Sequence, residues 1–354
     1  MKKVLILYNY LFHYRVPIWN ILAKHYDLTV MYSYPAKDEV ISQCNFKTQY
    51  LPIQKFGKFV IHKDNLRAIA ESYDVVVCDG QITMLKFSLL GFLKKKFKLI
   101  YWCIGAPAGY NRTYGDANKL YYALNDFVHK RADAMIFYSP RAINLHIERG
   151  WSPKNLFVAN NTVKVLELPY CKEGRDSLLF IGTLYLEKGV QQLLDAYKAA
   201  YEENPQILKL NIVGGGAQLP VIRKWIEDNG LGSNIILKGP IYDNKTKSEI
   251  FRKSIACISP LQAGLSVLES MGYGVPFITS ENAITGGESF NIQHGTNGLL
   301  MRNLEELKDV ILDISKNTGK YIEMGKSSYC HYWKCRRPED MAQGIINAIE
   351  YTLK

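Results

Sequence analysis

The sequence lacks any apolar run close to the roughly 20 residues that a membrane-spanning helix needs. It also lacks low-complexity segments and short-period repeats, which excludes repeat architectures. Its seven cysteines are odd in number and scattered, so we expect buried thiols in a reducing cytoplasm and no disulfide framework. Cys330, His331 and Cys335 form a cluster that lacks a second cysteine and histidine pair with zinc spacing, so a metal there is the minor alternative. We expect neither a required metal nor a bound cofactor.

What the chain does contain is typical of a globular protein of two domains. It has 354 residues, of which 47% are hydrophobic.

The N-terminus, Met-Lys-Lys followed by Val-Leu-Ile-Leu, imitates a signal peptide. Tyr8, Asn9 and Tyr10 break its apolar run and no small-residue cleavage site follows, so this segment is predicted to be a first β-strand.

The positive charge of the chain is confined to its first half. Residues 1–170 contain 23 lysines and arginines against 12 acids, whereas residues 171–354 contain 21 of each. Such an asymmetry concerns partners rather than the fold. It indicates contact with an anionic membrane surface or an anionic acceptor, with nucleic acid as the rival partner.

The densest basic segment is 87–98, in which phenylalanines and leucines alternate with four lysines. As a helix this segment would be basic and amphipathic, and it would lie at a membrane interface. The alternative is an ordinary solvated helix whose lysine-rich end leads into the next strand.

Short apolar strands alternate with helical patterns along the whole chain, which is typical of parallel sheets covered on both faces. Six strands are predicted in each half, and the segment 162–176 has no helical periodicity and is the predicted linker. Ligands of such sheets bind beyond the carboxyl ends of the strands, so both halves would offer loops to a shared cleft.

The segment 254–300 carries the clearest functional pattern. An apolar strand ends at Pro260, a loop with Gly264 enters a helix near Leu265, and Glu269 lies one turn inside that helix. Unpaired N–H groups at a helix start favour a phosphate, and a carboxylate one turn further can accept hydrogen bonds from a ribose diol. An ordinary strand–helix junction, where glycine only permits close packing, is the equally weighted alternative.

Several motifs occur in the order found in one known family. Their segments are 160–163 (Asn-Asn-Thr-Val), 179–189 (ending Glu-Lys-Gly), 210–216 (ending Gly-Gly-Gly), 236–241, 264–269, 274–276 (Gly-Val-Pro), 286–288 (Gly-Gly-Glu) and 295–298. On these motifs the chain resembles the family-4 retaining glycosyltransferases. The likeness is close in the C-terminal half and vaguer in the N-terminal half.

The resemblance implies a GT-B fold of two Rossmann-like, doubly wound parallel-sheet domains facing a central cleft. Residues 1–168 would bind the acceptor, residues 169–335 would bind the nucleotide sugar, and residues 336–354 would form a helix that packs back on the N-terminal domain. The implied activity is retaining transfer of a sugar from a nucleoside diphosphate to a glycan or a polyprenyl-diphosphate-linked glycan in bacterial surface polysaccharide synthesis. Such an enzyme would lie in the cytoplasm, either free or peripheral on the inner membrane face.

The resemblance also assigns roles to individual residues. Lys188 would neutralise the leaving diphosphate, and the amides of Gly264, Leu265 and Ser266 would hold its distal phosphate. Glu269 would bind the ribose. The remaining donor-binding candidates lie in the loops after two strands: Gly182, Thr183, Gly239 and Ile241.

On the acceptor side, His13 and Arg15 are candidates for contact with the acceptor or a phosphate. The alternative is that Arg15 only starts a helix and His13 only packs in its loop. Arg112 and Tyr114 are weaker candidates. Three other histidines are predicted to be surface or capping residues: His129, His146 and His331.

Two departures from the family pattern leave other functions open. The first of the family's two glutamates falls at Leu261, which cannot bind sugar hydroxyls, and a frequent arginine falls at Thr183. The alternatives are a two-Rossmann nucleotide-sugar epimerase, a transferase acting on soluble acceptors, and a catalytically silent sugar-nucleotide-binding protein. A nucleic-acid-binding protein is the least favoured, because no recognisable module accompanies the basic residues.

Overall fold

The computed structural model describes residues 1–92, 94–108 and 114–354. The chain divides into two compact units. Unit 1 comprises Met1–Pro107, Gly115–Val163 and Pro338–Lys354. Unit 2 comprises Lys164–Arg337 together with Ala108–Tyr114, of which the structure describes only Ala108 and Tyr114. In the described ranges, no helix has both the length and the apolar character required to cross a bilayer.

Unit 1 is built on a seven-stranded sheet, all of whose pairings are parallel. Its strands, in spatial order, are β3 (Lys47–Tyr50), β2 (Asp27–Tyr34), β1 (Lys3–Tyr10), β6 (Val75–Asp79), β7 (Lys98–Cys103), β8 (Ala134–Phe137) and β9 (Leu156–Val158). An antiparallel hairpin is formed by β4 (Ile53–Phe56) and β5 (Phe59–His62). The helices are α1 (Val16–Leu22), α2 (Asp38–Ile41), α3 (Leu66–Ala70), α4 (Leu85–Leu89), α5 (Lys119–His129), α6 (Pro140–Ile147) and α13 (Pro338–Leu353).

The central strand β1 shows why this sheet is covered on both faces. Val4 and Ile6 belong to one hydrophobic core, and Leu5 and Leu7 belong to a second core on the opposite face. Successive side chains of a strand point to opposite faces, so a continuous apolar run needs two covering layers.

Unit 2 contains a six-stranded parallel sheet. Its strands, in spatial order, are β12 (Ile235–Gly239), β11 (Lys209–Val213), β10 (Ser177–Ile181), β13 (Ser254–Ile258), β14 (Phe277–Ser280) and β15 (Gly298–Met301). The helices are α7 (Val190–Glu203), α8 (Leu219–Asp228), α9 (Asn244–Lys253), α10 (Ser266–Gly272), α11 (Glu306–Lys316) and α12 (Thr318–Cys335). This is the parallel α/β arrangement that the sequence predicted for the second half.

The prediction of six strands in the first half was incomplete. The edge strand β3 reads Lys-Thr-Gln-Tyr and is largely exposed, so it lacks the apolar run by which the other strands are recognised. The hairpin β4–β5 was also missed, because three residues of β4 are exposed. Edge strands need little burial on their outer side, and their sequences are correspondingly polar.

The segment 87–98 does not form the single helix in which it would be amphipathic. The helix α4 ends at Leu89 and continues only as a 3-10 turn over Leu90–Phe92. Phe87 and Phe97 are buried in the core of unit 1. Leu93 lies outside the described residues.

The last helix, α13, belongs to unit 1 and packs on its sheet. Met341, Ile345 and Ile349 are buried in the same core as Val4 and Ile6. Gly344 allows the close approach, since a Cβ at this position would lie 2.2 Å from the carbonyl oxygen of Val158 in β9. The change from unit 2 to unit 1 falls between Arg337 and Pro338, two residues beyond the predicted boundary.

This contact predicts the effect of a Gly344→Ala substitution. The added methyl group has no space against the backbone of β9, so we expect the free energy of unfolding of unit 1 to fall by about 1–3 kcal/mol. Urea denaturation measures the change. Gly319→Ala in α12 is the control, because a Cβ there meets no atom within 4 Å. Equal stability of the two variants would contradict the close packing of α13.

Candidate functional site

The carboxyl ends of the strands of unit 2 carry loops that interlock through their backbones. Gly182, directly after β10, donates to the Val213 carbonyl, and Gly214, directly after β11, donates to the Gly239 carbonyl. A Cβ on Gly214 would lie only 1.9 Å from the Gly182 carbonyl oxygen. The glycine triplet 214–216 therefore permits close packing of these loops and fixes the path of the chain from Gly182 onward.

Lys188 lies at the end of this loop in a short 3-10 turn, Leu186–Lys188, before α7. Gly189 follows it in the left-handed conformation, with φ 73°. The residue is only 8% exposed, yet its ammonium forms neither an ion pair nor a hydrogen bond with any described part of the chain. Burial lowers the pKa of Lys188, against the opposing effects of Cys257 and Glu288. A buried cation in this state favours an anionic ligand.

Glu269, in α10, is held by an ion pair that the sequence analysis missed. Its Oε1 lies 2.5 Å from the Lys247 Nζ of α9, and both side chains are mostly buried. Glu269 and Lys188 both act electrostatically on the buried Cys257 thiol in β13, whose pKa burial raises to about 12. The two charged groups therefore both lie within electrostatic range of Cys257. Lys247 positions Glu269 with its remaining acceptor capacity available for a further donor.

Backbone amides precede Glu269 in the loop that enters α10. In the part of the chain that the structure describes, the N–H groups of Gly264, Leu265 and Ser266 donate to no protein acceptor. The Ser266 hydroxyl is buried and also has no partner there. These donors lie beside the carboxyl end of β13, in a half-buried segment.

Leu261 and Gln262 occupy the start of the same loop. Leu261 packs against the loop of Lys188, because a Cβ on Gly189 would lie 2.8 Å from its Cγ. Gln262 accepts a hydrogen bond of 2.7 Å from the Tyr185 hydroxyl through Oε1. An apolar contact thus stands at the position where the family that the sequence resembles carries a carboxylate. The loops after β10 and β13 are joined to each other.

The other donor-side candidates lie at the same edge of the sheet. Thr183 is exposed directly after Gly182. Gly239 ends β12 in the left-handed conformation, and Ile241 is half-buried two residues later. All the predicted donor-side residues therefore belong to unit 2.

The two acceptor-side candidates of unit 1 have different environments. His13 is exposed, with its ring 5.5 Å edge-on from Tyr14. Arg15 is only 2% exposed, precedes α1, and has its guanidinium about 5 Å from the rings of Trp102 and Tyr138. Its Nη1 contacts the Met341 sulfur of α13. This environment favours the alternative that Arg15 starts a helix and stabilises the core.

His129 and His146 were predicted to be surface or capping residues, and the surface position was wrong. Both are buried: His129 Nε2 lies 2.8 Å from the Gly80 carbonyl, and His146 Nδ1 lies 2.7 Å from the Ala142 carbonyl. Burial lowers the pKa of each to about 4. His331 is half-buried next to Asn291.

Two weaker candidates remain. Arg112 lies outside the described residues. Tyr114 packs edge-on against Phe290 at 4.9 Å. Within the described ranges no cluster of three or more histidines, cysteines or acids suitable for a metal occurs.

Asp79 is a titratable group of unit 1 that the sequence analysis missed. It ends β6, is 5% exposed, and accepts a hydrogen bond of 3.1 Å from the Gln81 N–H. Burial raises the pKa of Asp79 to about 7, against that hydrogen bond. Its charge also acts on the buried hydroxyls of Tyr8 and Tyr138, which are 2.7 Å apart.

Solved structures show that the fold is GT-B. HepE of Anabaena, solved in complex with UDP, matches with a TM-score of 0.75 at 16% identity, covering 98% of this chain and 99% of that chain. The GT-B fold predicted from the sequence is therefore confirmed.

Sequence comparisons agree with this class. A family model for glycosyl transferases group 1 matches residues 175–317, which is most of unit 2, and supports a glycosyltransferase family. The chain is 29% identical over 184 residues to a poly(glycerol-phosphate) alpha-glucosyltransferase of Bacillus subtilis, covering 50% of this chain and 26% of the relative. It is 25% identical over 189 residues to a poly(ribitol-phosphate) alpha-N-acetylglucosaminyltransferase of Staphylococcus aureus, covering 53% of this chain and 38% of the relative. The matched region thus spans well under half the length of these two relatives.

The ion pair of Lys247 and Glu269 predicts an energetic coupling between them. Replacing Lys247 by Met and Glu269 by Gln, singly and together, should give a coupling free energy of about 1–2 kcal/mol, because the pair is largely removed from water. Chemical denaturation of the four proteins measures it. The exposed pair Lys224–Asp228 is the control and should give less than about 0.5 kcal/mol. Equal couplings would refute a positioning role for Lys247.

The raised pKa of Asp79 predicts a specific pH dependence. Folding favours its protonated form, so this residue costs stability as the pH rises from about 4 through 7. We expect Asp79→Asn to unfold at a higher temperature than the unchanged protein at pH 8, with the difference shrinking toward pH 4.

The buried histidines lower the stability of the fold as the pH falls from 6.5 to 4, which is the opposite direction. Because the unchanged protein and the Asp79→Asn variant both contain these histidines, their contribution cancels in the difference between the two melting temperatures. Asp74→Asn is the control of opposite sign, because the backbone N–H of Lys3 lowers the pKa of Asp74. If the difference in melting temperature between Asp79→Asn and the unchanged protein did not change with pH, the pKa of Asp79 would not be raised in the folded protein.

Proposed function

We propose that this protein is a retaining glycosyltransferase of family 4 that transfers a sugar from a nucleoside-diphosphate donor. The observation that carries the proposal is the buried Lys188 ammonium, which has no ion pair in the described part of the chain and follows the interlocked loop of Gly182. A diphosphate would supply the missing negative charge.

The other groups at this edge of unit 2 complete a nucleotide site. The amides of Gly264, Leu265 and Ser266 would donate to phosphate oxygens, and Glu269 would accept from the ribose hydroxyls. Lys247 would hold that carboxylate in position. The binding of UDP by HepE supports this type of donor.

The proposed chemistry needs no protein nucleophile. The acceptor hydroxyl would attack the anomeric carbon from the face that the diphosphate leaves, and a phosphate oxygen would take its proton. Lys188 and the amides would stabilise the negative charge that develops on the leaving group. Their contribution is electrostatic, since neither bonds to the sugar carbon.

For the acceptor we propose a glycan or a polyprenyl-diphosphate-linked glycan in bacterial surface polysaccharide synthesis, handled at the cytoplasmic face of the membrane. The two relatives act, by name, on poly(glycerol-phosphate) and poly(ribitol-phosphate), which are anionic polymers. The basic excess of residues 1–170 supports an acceptor or a surface of negative charge.

Nucleotide binding provides the direct test. Glu269→Ala should weaken the binding of UDP and of UMP to a similar degree, by roughly tenfold to a hundredfold, because it removes a charge-assisted contact to the ribose. Lys188→Met should weaken the binding of UDP strongly and that of UMP much less, because it removes the cation beside the distal phosphate, which UMP lacks. Titration calorimetry measures both.

Matched controls are Glu227→Ala and Lys316→Ala, which alter exposed side chains of α8 and α11. If the Lys188 variant bound UDP as tightly as the controls do, the proposed diphosphate site would be wrong. Incubation with nucleotide sugars in the absence of an acceptor tests the alternatives. Epimerised donor would indicate an epimerase, and binding without turnover over an acceptor panel would indicate a silent sugar-nucleotide-binding protein.

A further inference from the structure

The helix α5 of unit 1 presents an apolar stripe to solvent. Leu120, Leu124 and Phe127 recur at helical spacing on one face and are each at least half exposed. The residue at the end of the opposite face, His129, is buried in unit 1. The stripe is therefore not the side by which α5 packs on its own sheet, and it requires another explanation.

The stripe continues onto the neighbouring segment after α4. The rings of Phe92 and Phe127 lie 5.3 Å apart, and Leu89 is also exposed. The Arg131 guanidinium lies 3.9 Å from the centre of the Phe92 ring and 4.0 Å from that of Phe127. We call these five apolar residues, Leu89, Phe92, Leu120, Leu124 and Phe127, the apolar patch.

The two segments that carry the apolar patch are also rich in basic residues. The segments 85–98 and 119–131 together contain eight lysines and arginines and a single acid, Asp126. That acid is already paired with Arg149, at 3.1 Å. Five of the lysines are exposed: Lys94, Lys96, Lys98, Lys119 and Lys130. The uncompensated charge of this surface is therefore positive.

We propose that the apolar patch and its lysines dock onto an anionic phospholipid bilayer. Leucine and phenylalanine side chains enter the boundary between headgroups and acyl chains, while the lysines remain among the anionic headgroups. The charge of the rim selects this partner over a neutral apolar one. The surface is formed by two elements rather than by the single helix over 87–98 that the sequence indicated, and it involves none of the donor-site residues of unit 2.

Vesicle flotation of the full chain tests the proposal. The probes are phosphatidylcholine vesicles with and without phosphatidylglycerol, at low and high salt. We expect binding only to the anionic vesicles, and weaker binding at high salt. Leu124→Glu with Phe127→Glu should lower the partition coefficient at least about tenfold, because two charges would enter the interface. Lys94→Gln and Lys96→Gln should each lower it about fivefold, in a salt-sensitive way.

The control is Leu186→Glu with Val221→Glu, which places the same charges at exposed apolar positions of unit 2. Melting temperatures show whether each variant folds. If the double variant Leu124→Glu with Phe127→Glu does not fold, the Lys94→Gln and Lys96→Gln variants still test the proposal. Equal binding of the patch and control variants would overturn the proposal.

Sedimentation in the absence of lipid measures the oligomeric state, and it tests whether a second copy of the chain covers the apolar patch instead of a membrane. A dimer that Leu124→Glu with Phe127→Glu dissociates would overturn membrane docking in favour of self-association. Vesicle binding requires no nucleotide, so its failure and the failure of the transferase proposal are separate results.

Discussion

The candidate site depends on one constraint, the parallel pairing of the strands of unit 2. Because all six strands run in the same direction, the loops that follow β10, β12 and β13 leave from one edge of the sheet. The close approach of Gly214 to the Gly182 carbonyl then fixes the loop that ends at Lys188. Lys188 and Glu269, about eighty positions apart in the chain, thereby both come within electrostatic range of Cys257 in β13.

Burial alone does not distinguish a binding cation from a structural one. Arg15 and Lys188 are both almost fully buried, and neither forms an ion pair among the residues described. Arg15 lies against the rings of Trp102 and Tyr138, which stabilise the guanidinium charge through cation–π contacts, although its Nε has no hydrogen-bond partner among the described residues. Lys188 has only the Tyr185 ring at 5.8 Å. The difference lies in what surrounds the charge, and this leaves the lysine suited to an anionic ligand.

The sequence predicts those parts of the protein whose cause is local. Apolar runs with flanking glycines gave all six strands of unit 2, and Gly264 before Leu265 gave the start of α10. Lys247 could not be found in this way, because it lies on α9 and reaches Glu269 only in the folded chain. The strand β3 was missed because an edge strand has no apolar pattern. The burial of His129 and His146 likewise depends on which neighbours cover them, and no local pattern records this.

Leu261 shows how a departure from a family pattern can be compensated within the same loop. A carboxylate at this position would bind sugar hydroxyls, whereas the leucine packs on Gly189 and thereby supports the turn that holds Lys188. Its neighbour Gln262 joins the same two loops through Tyr185. Recognition of the transferred sugar would then fall to amide groups and loop N–H donors, which form weaker hydrogen bonds than a carboxylate does. The electrostatic stabilisation of a leaving diphosphate needs no group at position 261. Under the proposed function, the leucine would therefore bear on the choice of sugar rather than on the capacity to bind the nucleotide.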